Sequence, residues 1–250
     1  MRILLVNPNM SQSMTDEMAM IARNIAMPGV EIVALTARTG FPYIASQAEA
    51  QIAGAIALEM IAENAENIDA VIIAAFGDPG LKGARELFDI PVVGMAEAAV
   101  MSAAMLGERF SIVTFSPLMT RWYTDCVSGT GLSARFMGVR TPAMQEIDVE
   151  TVRSELRDDM IALARTAVDE DGADVIILGG APLAGMATEI EADVPAIIID
   201  PITAAVAQAT ALVAVAPARM FSKRRGKPVG KTSVGLSPAL EKVVAMEVDS

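Results

Sequence analysis

Two carboxylates stand at the ends of predicted strands, where parallel sheets bind their ligands. Asp78 lies in the turn Phe76-Gly-Asp-Pro-Gly80, directly after the apolar run Val71 to Ala75. That run is too short for most helices and is typical of a parallel strand buried on both faces. Glu97 follows the predicted strand that begins at Ile90. Because ligands of open α/β sheets sit beyond the carboxyl ends of the strands, we predict that these carboxylates act as general acid or base groups.

Each carboxylate also has a structural interpretation. Asp78 could cap the helix that follows its turn, with Pro79 in the first helical turn, and Glu97 could be a helix-start acid. Asp78 is preferred for proton transfer, because a carboxylate in an apolar turn can have its pKa raised toward neutrality. Gly77 and Gly80 would let the backbone approach a small molecule.

Amide and hydroxyl side chains follow two further predicted strands and could bind a ligand oxygen. They are Asn7, Asn9 and Ser11 near the start of the chain, and Thr114 and Ser116 about a hundred residues further on. Beside free helix N–H groups, such side chains could hold a carboxylate or imide oxygen without a charge. Plain helix capping explains the first group equally well.

Aromatic residues lie near these positions, in one loop and on one helix. The loop Thr39 to Tyr43 could fold over a pocket. Trp122 and Tyr123 lie on the helix predicted after Ser116, with Cys126 a turn further on. We assign Trp122, Tyr123 and Cys126 to packing.

The elements that would position the polar residues occur twice along the chain. Asp174 to Gly185 resembles the stretch around Asp78, and Val194 to Ile198 resembles Ile90 to Gly94; in each pair the matching residues are 104 positions apart. The repeat predicts an α/β fold of two pseudo-symmetric lobes. Each lobe would be a mainly parallel four-stranded sheet flanked by helices, with the active site in the cleft between them.

The repeat also suggests a division of the chain. We expect the first lobe in residues 1–98, completed by a helix in 202–217, the second lobe in 99–201, and a basic tail in 218–250. Thr151 could cap the long amphipathic helix of the second lobe.

Composition limits the available chemistry. The 250 residues include 31 acidic and 19 basic side chains and no histidine, giving a net charge of -12, so we do not expect a nucleic-acid surface. The lack of histidine excludes histidine-dependent triads and removes the commonest metal ligand. The single cysteine, Cys126, cannot form an intrachain disulfide or a cysteine-cluster metal site. We therefore expect a small-molecule substrate and no metal.

Nothing in the sequence predicts a membrane partner. No secretory leader precedes the first strand, and the longest apolar segment, Ile202 to Pro217, is too short and too interrupted to cross a membrane. We expect a cytoplasmic protein. The basic run Lys223 to Lys231 could be a loop or a subunit contact, and we expect a homo-oligomer.

Four motifs together resemble the aspartate/glutamate/hydantoin racemase superfamily, in particular its hydantoin and allantoin racemase branch. They are Asn7-Pro-Asn9, Phe76-Gly-Asp-Pro-Gly-Leu81, Gly94-Met-Ala-Glu-Ala98 and the glycine turn near residue 180. The resemblance covers roughly residues 1 to 217. It implies two α/β lobes with the substrate between them, no cofactor, and two cysteines that exchange a proton with the substrate's α-carbon from opposite faces.

This sequence departs from the resemblance at both cysteines. The first falls at Ala75 and the second at Gly180, and Cys126 matches neither position. Neither alanine nor glycine can carry a proton, so the usual thiol mechanism is not available. The substrate-binding residues expected at the two turns are Ala75, Phe76, Gly77, Gly180, Ala181 and Pro182.

Three functions remain open. The first is an enzyme that acts on a small cyclic ureide, imide or carboxylate, with Asp78 or Glu97 as general base or water activator. Its outcome could be isomerisation, ring hydrolysis or C–C cleavage. The second is a non-catalytic binding protein for such a ligand, and the third is a structural or regulatory partner with an empty cleft. We favour the first.

Overall fold

Two parallel β-sheets of four strands each form the framework of the protein. The computed structural model describes residues 1–143, 155–216, 220–221 and 227–246. The first sheet has the order β2-β1-β3-β4 and the second the order β6-β5-β7-β8. The strands are β1 (Arg2–Asn7), β2 (Glu31–Thr36), β3 (Ala70–Ile73), β4 (Val92–Gly94), β5 (Phe110–Thr114), β6 (Phe136–Arg140), β7 (Val175–Gly179) and β8 (Ile197–Ile199). The predicted pair of parallel lobes is confirmed, and so are the central positions of β3 and β7.

Helices of the described residues flank both sheets. They are α1 (Gln12–Ile25), α2 (Gln47–Asn64), α3 (Leu81–Leu87), α4 (Met95–Leu106), α5 (Thr120–Gly129), α6 (Arg157–Asp169), α7 (Ala187–Ile190), α8 (Pro201–Val215) and α9 (Pro238–Ala245). Side-chain caps define where several of them begin: Ser11 accepts the Met14 N–H at the start of α1, and Asp200 accepts the Thr203 N–H at the start of α8. These caps place the helix starts beside the strand ends that carry the polar residues.

The central strands are buried because helices cover both faces of each sheet. All residues of β3 and β7 are buried, as expected of apolar runs in parallel sheets. One hydrophobic cluster contains residues of both lobes, among them Ile72, Phe76, Tyr123 and Ile177. The two lobes therefore share a core.

Two helices pack across the junction of the lobes. α8 contacts β3 and β4 of the first sheet and also α4, while α4 contacts β7 of the second sheet. The division into residues 1–98 with 202–217 and residues 99–201 stays a proposal.

The C-terminal region is more than the basic tail that the sequence predicted, and part of it lies outside the described residues. α9 was not predicted, and it packs against α2. Lys227 pairs with Asp89, whereas residues 223–226 of the basic run, and Thr151, lie outside the described residues. Within the described part of the chain, no helix is long and apolar enough to cross a membrane.

Candidate active site

The carboxylate of Asp78 joins the turn after β3 to the start of α4. Its Oδ1 accepts the Ala96 N–H at 2.7 Å and its Oδ2 accepts the Glu97 N–H at 2.8 Å. The sequence suggested that Asp78 could cap the following helix, α3, but the residue at that cap position is Gly80, which makes no side-chain cap bond. Asp78 therefore binds the first turn of α4. The contact connects the turn after β3 with the helix that follows β4, and β3 and β4 are neighbours in the sheet.

The local backbone is specialised for this contact. Asp78 has a φ of +52°, which is uncommon for a residue other than glycine and often marks functional sites. Gly94 precedes α4, and a Cβ at that position would lie 2.3 Å from Cγ of Asp78. The absence of a side chain at Gly94 thus allows the carboxylate to reach the N–H groups of α4.

The environment of Asp78 brings its proton affinity close to neutrality. Burial raises the pKa of the carboxyl from 3.8 to about 7. The hydrogen bonds from Ala96 and Glu97 lower it, the Glu97 carboxylate raises it, and the Arg85 guanidinium lowers it. Burial outweighs the opposing contributions, so both protonation states of Asp78 are accessible near neutral pH.

Glu97 is engaged in an ion pair at the same turn. Its carboxylate pairs with the Arg85 guanidinium in a bidentate arrangement, with Nη1 of Arg85 at 3.0 Å from Oε1. Arg85 also donates from Nε to the Val92 carbonyl oxygen at 2.9 Å. The guanidinium engages both oxygens of the Glu97 carboxylate, so this contact supports a positioning role for Glu97 more than proton transfer.

A pocket of about 550 Å³ opens beside Asp78. It lies between α2, the turn at 77–80 with the start of α3, and α5, and its volume is in the range of small-molecule sites. The lining residues used below are Leu58, Gly77, Asp78, Gly83, Glu97, Trp122 and Cys126. The two candidate acid–base residues therefore face a space that is large enough for a cyclic ureide.

A second, much smaller cavity lies between the lobes. Its volume is about 10 Å³, and it is lined by Asn9, Tyr43, Ile44, Ala75, Phe76, Trp122, Tyr123, Gly180 and Ala181. The structure thus brings together the two positions at which the resemblance implies cysteines. Asp78 and Glu97 line the larger pocket and not this cavity.

Both tyrosines of the sequence line the small cavity, and sequence reasoning did not identify them as site residues. Burial raises the pKa of Tyr123 well above its usual value, and Tyr43 and Cys126 act in the same direction. Burial also raises the pKa of Tyr43, with a smaller contribution from Glu49. Neutral phenols can donate hydrogen bonds to a ligand oxygen. The loop Thr39 to Tyr43, which was expected to fold over a pocket, was the one sequence feature that pointed to Tyr43. No sequence feature pointed to Tyr123, because an aromatic residue on a predicted helix is typical of packing.

The polar residues after β1 bind mainly one another. The Asn7 amide donates to Oδ1 of Asn9 at 2.9 Å and to Oγ1 of Thr15 at 2.9 Å, and it is fully buried. Ser11 caps α1, as the capping interpretation expected. Of these residues, Asn9 lines the small cavity. The cluster therefore fixes the shape of the turn and presents Asn9 to the cleft.

The expected binding residues Thr114, Ser116 and Pro182 line neither of the two cavities. Thr114 is buried at the end of β5, and Pro182 is buried in the 3-10 turn Ala181–Leu183. Their assignment to substrate binding stays a prediction.

Asp200 makes the corresponding connection in the second lobe. Its Oδ2 accepts the Gly185 N–H at 2.7 Å and its Oδ1 accepts the Thr203 N–H at 2.9 Å. In both lobes a carboxylate thus ties the turn after the third strand to the helix after the fourth. Asp200 lines neither of the two cavities, which distinguishes it from Asp78.

Cys126 lines the larger pocket, and its thiol is poorly suited to acid–base chemistry. Its Sγ lies 3.7 Å from the Gly77 carbonyl oxygen. Burial raises the pKa of the thiol to about 12, and the Asp78 and Asp125 carboxylates act in the same direction. The thiolate is the reactive form of cysteine, so this side chain is almost entirely unreactive near neutral pH.

If the pocket is catalytic, replacing Cys126 with Ser is therefore expected to leave turnover within about twofold of the parent protein, because a protonated thiol takes no part in proton transfer. Steady-state rates of both forms, measured with and without iodoacetamide, would check this. Loss of turnover in both the Cys126→Ser variant and the alkylated parent would show that the thiol acts in the reaction.

Among the described residues, no group of three or more histidine, cysteine, aspartate or glutamate side chains is arranged to hold a metal ion.

Comparison with known proteins identifies relatives over nearly the whole chain. The sequence profile of the family described as Asp/Glu/Hydantoin racemase matches residues 3–209. A hydantoin racemase from Pseudomonas sp. (strain NS671) is 34% identical over 236 residues, covering 94% of this chain and 95% of that protein. A hydantoin racemase from Paenarthrobacter aurescens is 32% identical, and the match covers 92% of this chain and 99% of that protein. The solved structure of an allantoin racemase from Klebsiella pneumoniae matches with a TM-score of 0.86 at 32% identity, covering 96% of this chain and 98% of that chain.

Proposed function

Because the chain belongs to the Asp/Glu/hydantoin racemase family, we propose that it transfers a proton at a carbon atom of a small cyclic ureide, imide or carboxylate of the hydantoin or allantoin type, without a cofactor. The observation that carries this proposal is the Asp78 carboxylate, which has a pKa of about 7 and lines a 550 Å³ pocket at the carboxyl end of β3. A general base is most effective when its pKa lies near the working pH. The hydantoin racemases among the relatives support the substrate class.

In the proposed reaction, Asp78 acts as a base on the carbon next to a ring carbonyl. The C–H bond breaks, the proton passes to a carboxylate oxygen of Asp78, and the electron pair moves onto the neighbouring carbonyl oxygen as an enolate. Return of the proton restores the C–H bond. The Ala96 and Glu97 N–H groups hold the carboxylate in one orientation, which reduces the reorganisation needed for the transfer.

The missing thiols set the expected outcome of this reaction. Ala75 and Gly180 cannot supply an acid and a base on opposite faces of the carbon. We propose that Asp78 serves one face of the substrate, so that the proton exchanges with solvent faster than the configuration inverts.

Deuterium exchange tests this proposal. (S)-5-methylhydantoin is incubated with the enzyme in D2O, and the loss of the C5 proton is followed by NMR while optical rotation is recorded in parallel. We expect exchange to exceed the rate without enzyme by at least tenfold and to exceed inversion. A ring-opened product would instead support a hydrolase that uses a carboxylate-activated water, and release of CO2 from a carboxylated analogue would support a lyase.

A non-catalytic ligand-binding homologue is the second candidate, and the likeness of Asp78 to Asp200 favours it. Both carboxylates accept two backbone N–H groups, so a structural connection alone could account for Asp78. Stabilisation of the folded chain by 5-methylhydantoin without any exchange would identify this function. The cytoplasmic location and the homo-oligomer stay predictions of the sequence.

A further inference from the structure

Trp122 forms a wall between the two cavities. It is 6% exposed, and it lines both the 550 Å³ pocket beside Asp78 and the 10 Å³ cavity between the lobes. On one side of the indole are therefore the candidate acid–base residues. On the other side are Ala75 and Gly180.

The indole rests directly on the backbone of Gly77. A Cβ at residue 77 would lie 2.3 Å from Cζ2 and 2.4 Å from Cε2 of Trp122, and Gly77 has a φ of +110°. Trp122 also lies beside Tyr123, with ring centroids 5.9 Å apart, and Tyr123 packs against Phe76 at 4.6 Å. The wall is thus a packed aromatic layer that requires glycine at position 77.

The two volumes show what this wall does to a ligand. A pocket of 550 Å³ accommodates a small organic molecule, whereas 10 Å³ is about the space of one water molecule. A ligand that enters beside Asp78 therefore cannot extend to Ala75 and Gly180 while the indole is in place. The room between the two family cysteine positions is occupied by aromatic side chains.

We infer that Trp122 determines the size of the ligand, because its indole closes the cleft between the lobes off from the pocket beside Asp78. This inference rests on the proposed function, since it concerns the ligand of the same site. Removing the indole joins the two cavities and admits a larger ring substituent.

Binding of two hydantoins of different size tests the inference. The dissociation constants of hydantoin and 5-benzylhydantoin are measured by calorimetry for the parent enzyme, the Trp122→Leu variant and the Leu58→Ala variant. Leu58, on α2, lines the same pocket but not the small cavity, so its truncation adds room without joining the two. We expect Trp122→Leu to shift the ratio of the two dissociation constants at least tenfold in favour of 5-benzylhydantoin, because an apolar group that fills newly opened apolar space improves binding by about this much. An unchanged ratio, or an equal shift in Leu58→Ala, would overturn the inference.

Failure of the proposed function is recognised separately, by the absence of deuterium exchange, and a wrong ligand class is recognised because neither hydantoin then binds the parent enzyme. In that case the fluorescence of Trp122, the only tryptophan of the sequence, tests the wall itself. Gly77→Ala should push the indole out of its place and at least double its quenching by acrylamide. Gly83→Ala is the matched control, because a Cβ there meets its nearest atom at 3.5 Å. Equal quenching of the two variants would overturn the inference.

Discussion

The Asp78→Asn variant is expected to turn over a hydantoin-type substrate about a hundredfold more slowly than the parent enzyme, or slower still, because an amide cannot accept the proton from carbon. The asparagine oxygen can accept one of the two α4 N–H groups, and the other loses its acceptor. At pH 5, where Asp78 is mostly protonated in the folded chain, we therefore expect a loss of about 0.5 to 2 kcal/mol in the free energy of unfolding, as for a lost helix cap. This loss comes from the contact of Asp78 with the Ala96 and Glu97 N–H groups, which the sequence does not reveal. Steady-state kinetics and urea unfolding measure the two effects.

Asp200→Asn is the matched control for this substitution. Asp200 is 7% exposed and also accepts two backbone N–H groups, but it lines neither of the two cavities. We expect it to lose a similar amount of stability and to keep turnover within a few-fold of the parent enzyme. If both variants lost turnover equally, the role of Asp78 would be to position its turn and not to transfer the proton.

The second large effect is expected in the pH profile. Because burial raises the pKa of Asp78 to about 7, and a general base must be ionised, kcat/KM should rise through pH 7 and level off above it. Below pH 7 it should fall about tenfold per unit, hence about a hundredfold by pH 5. Glu97 and Arg85 are the charged neighbours with opposite effects on this pKa. Initial rates between pH 5 and 9 measure the profile, and a midpoint below pH 5 would contradict the assignment.

The same group links stability to pH with a defined sign. The folded pKa of about 7 lies above the ordinary value of 3.8, so the folded state holds the proton more tightly than the unfolded chain. The stability that Asp78 contributes is complete below about pH 4 and is lost as the pH rises through 7. Urea unfolding at pH 5 and pH 8 should therefore show a larger loss for the parent enzyme than for Asp78→Asn. Equal losses in both proteins would mean that Asp78 keeps an ordinary pKa.

The sequence by itself determined the framework of this protein. Short apolar runs such as Val71 to Ala75 predict buried parallel strands, and the 104-residue offset predicts two lobes with the same strand order. Four short motifs, among them the one around Asp78, were sufficient to recognise the family, which the match over residues 3–209 confirms. These features are local, because strand periodicity and turn chemistry depend on neighbours in the chain.

Only the tertiary structure decided how the candidate residues are grouped. Asp78 binds α4, 18 residues further along the chain, and not the helix that follows it, because Gly94 leaves room for the carboxylate between adjacent strands. Tyr43 and Tyr123 come from different lobes and meet at one cavity, whereas Trp122 separates that cavity from the pocket of Asp78. No sequence pattern specifies these groupings, because they arise where helices and turns far apart in the chain pack against each other. The same burial raises the pKa of Asp78, so the proton affinity of the proposed base is also a property of the folded chain.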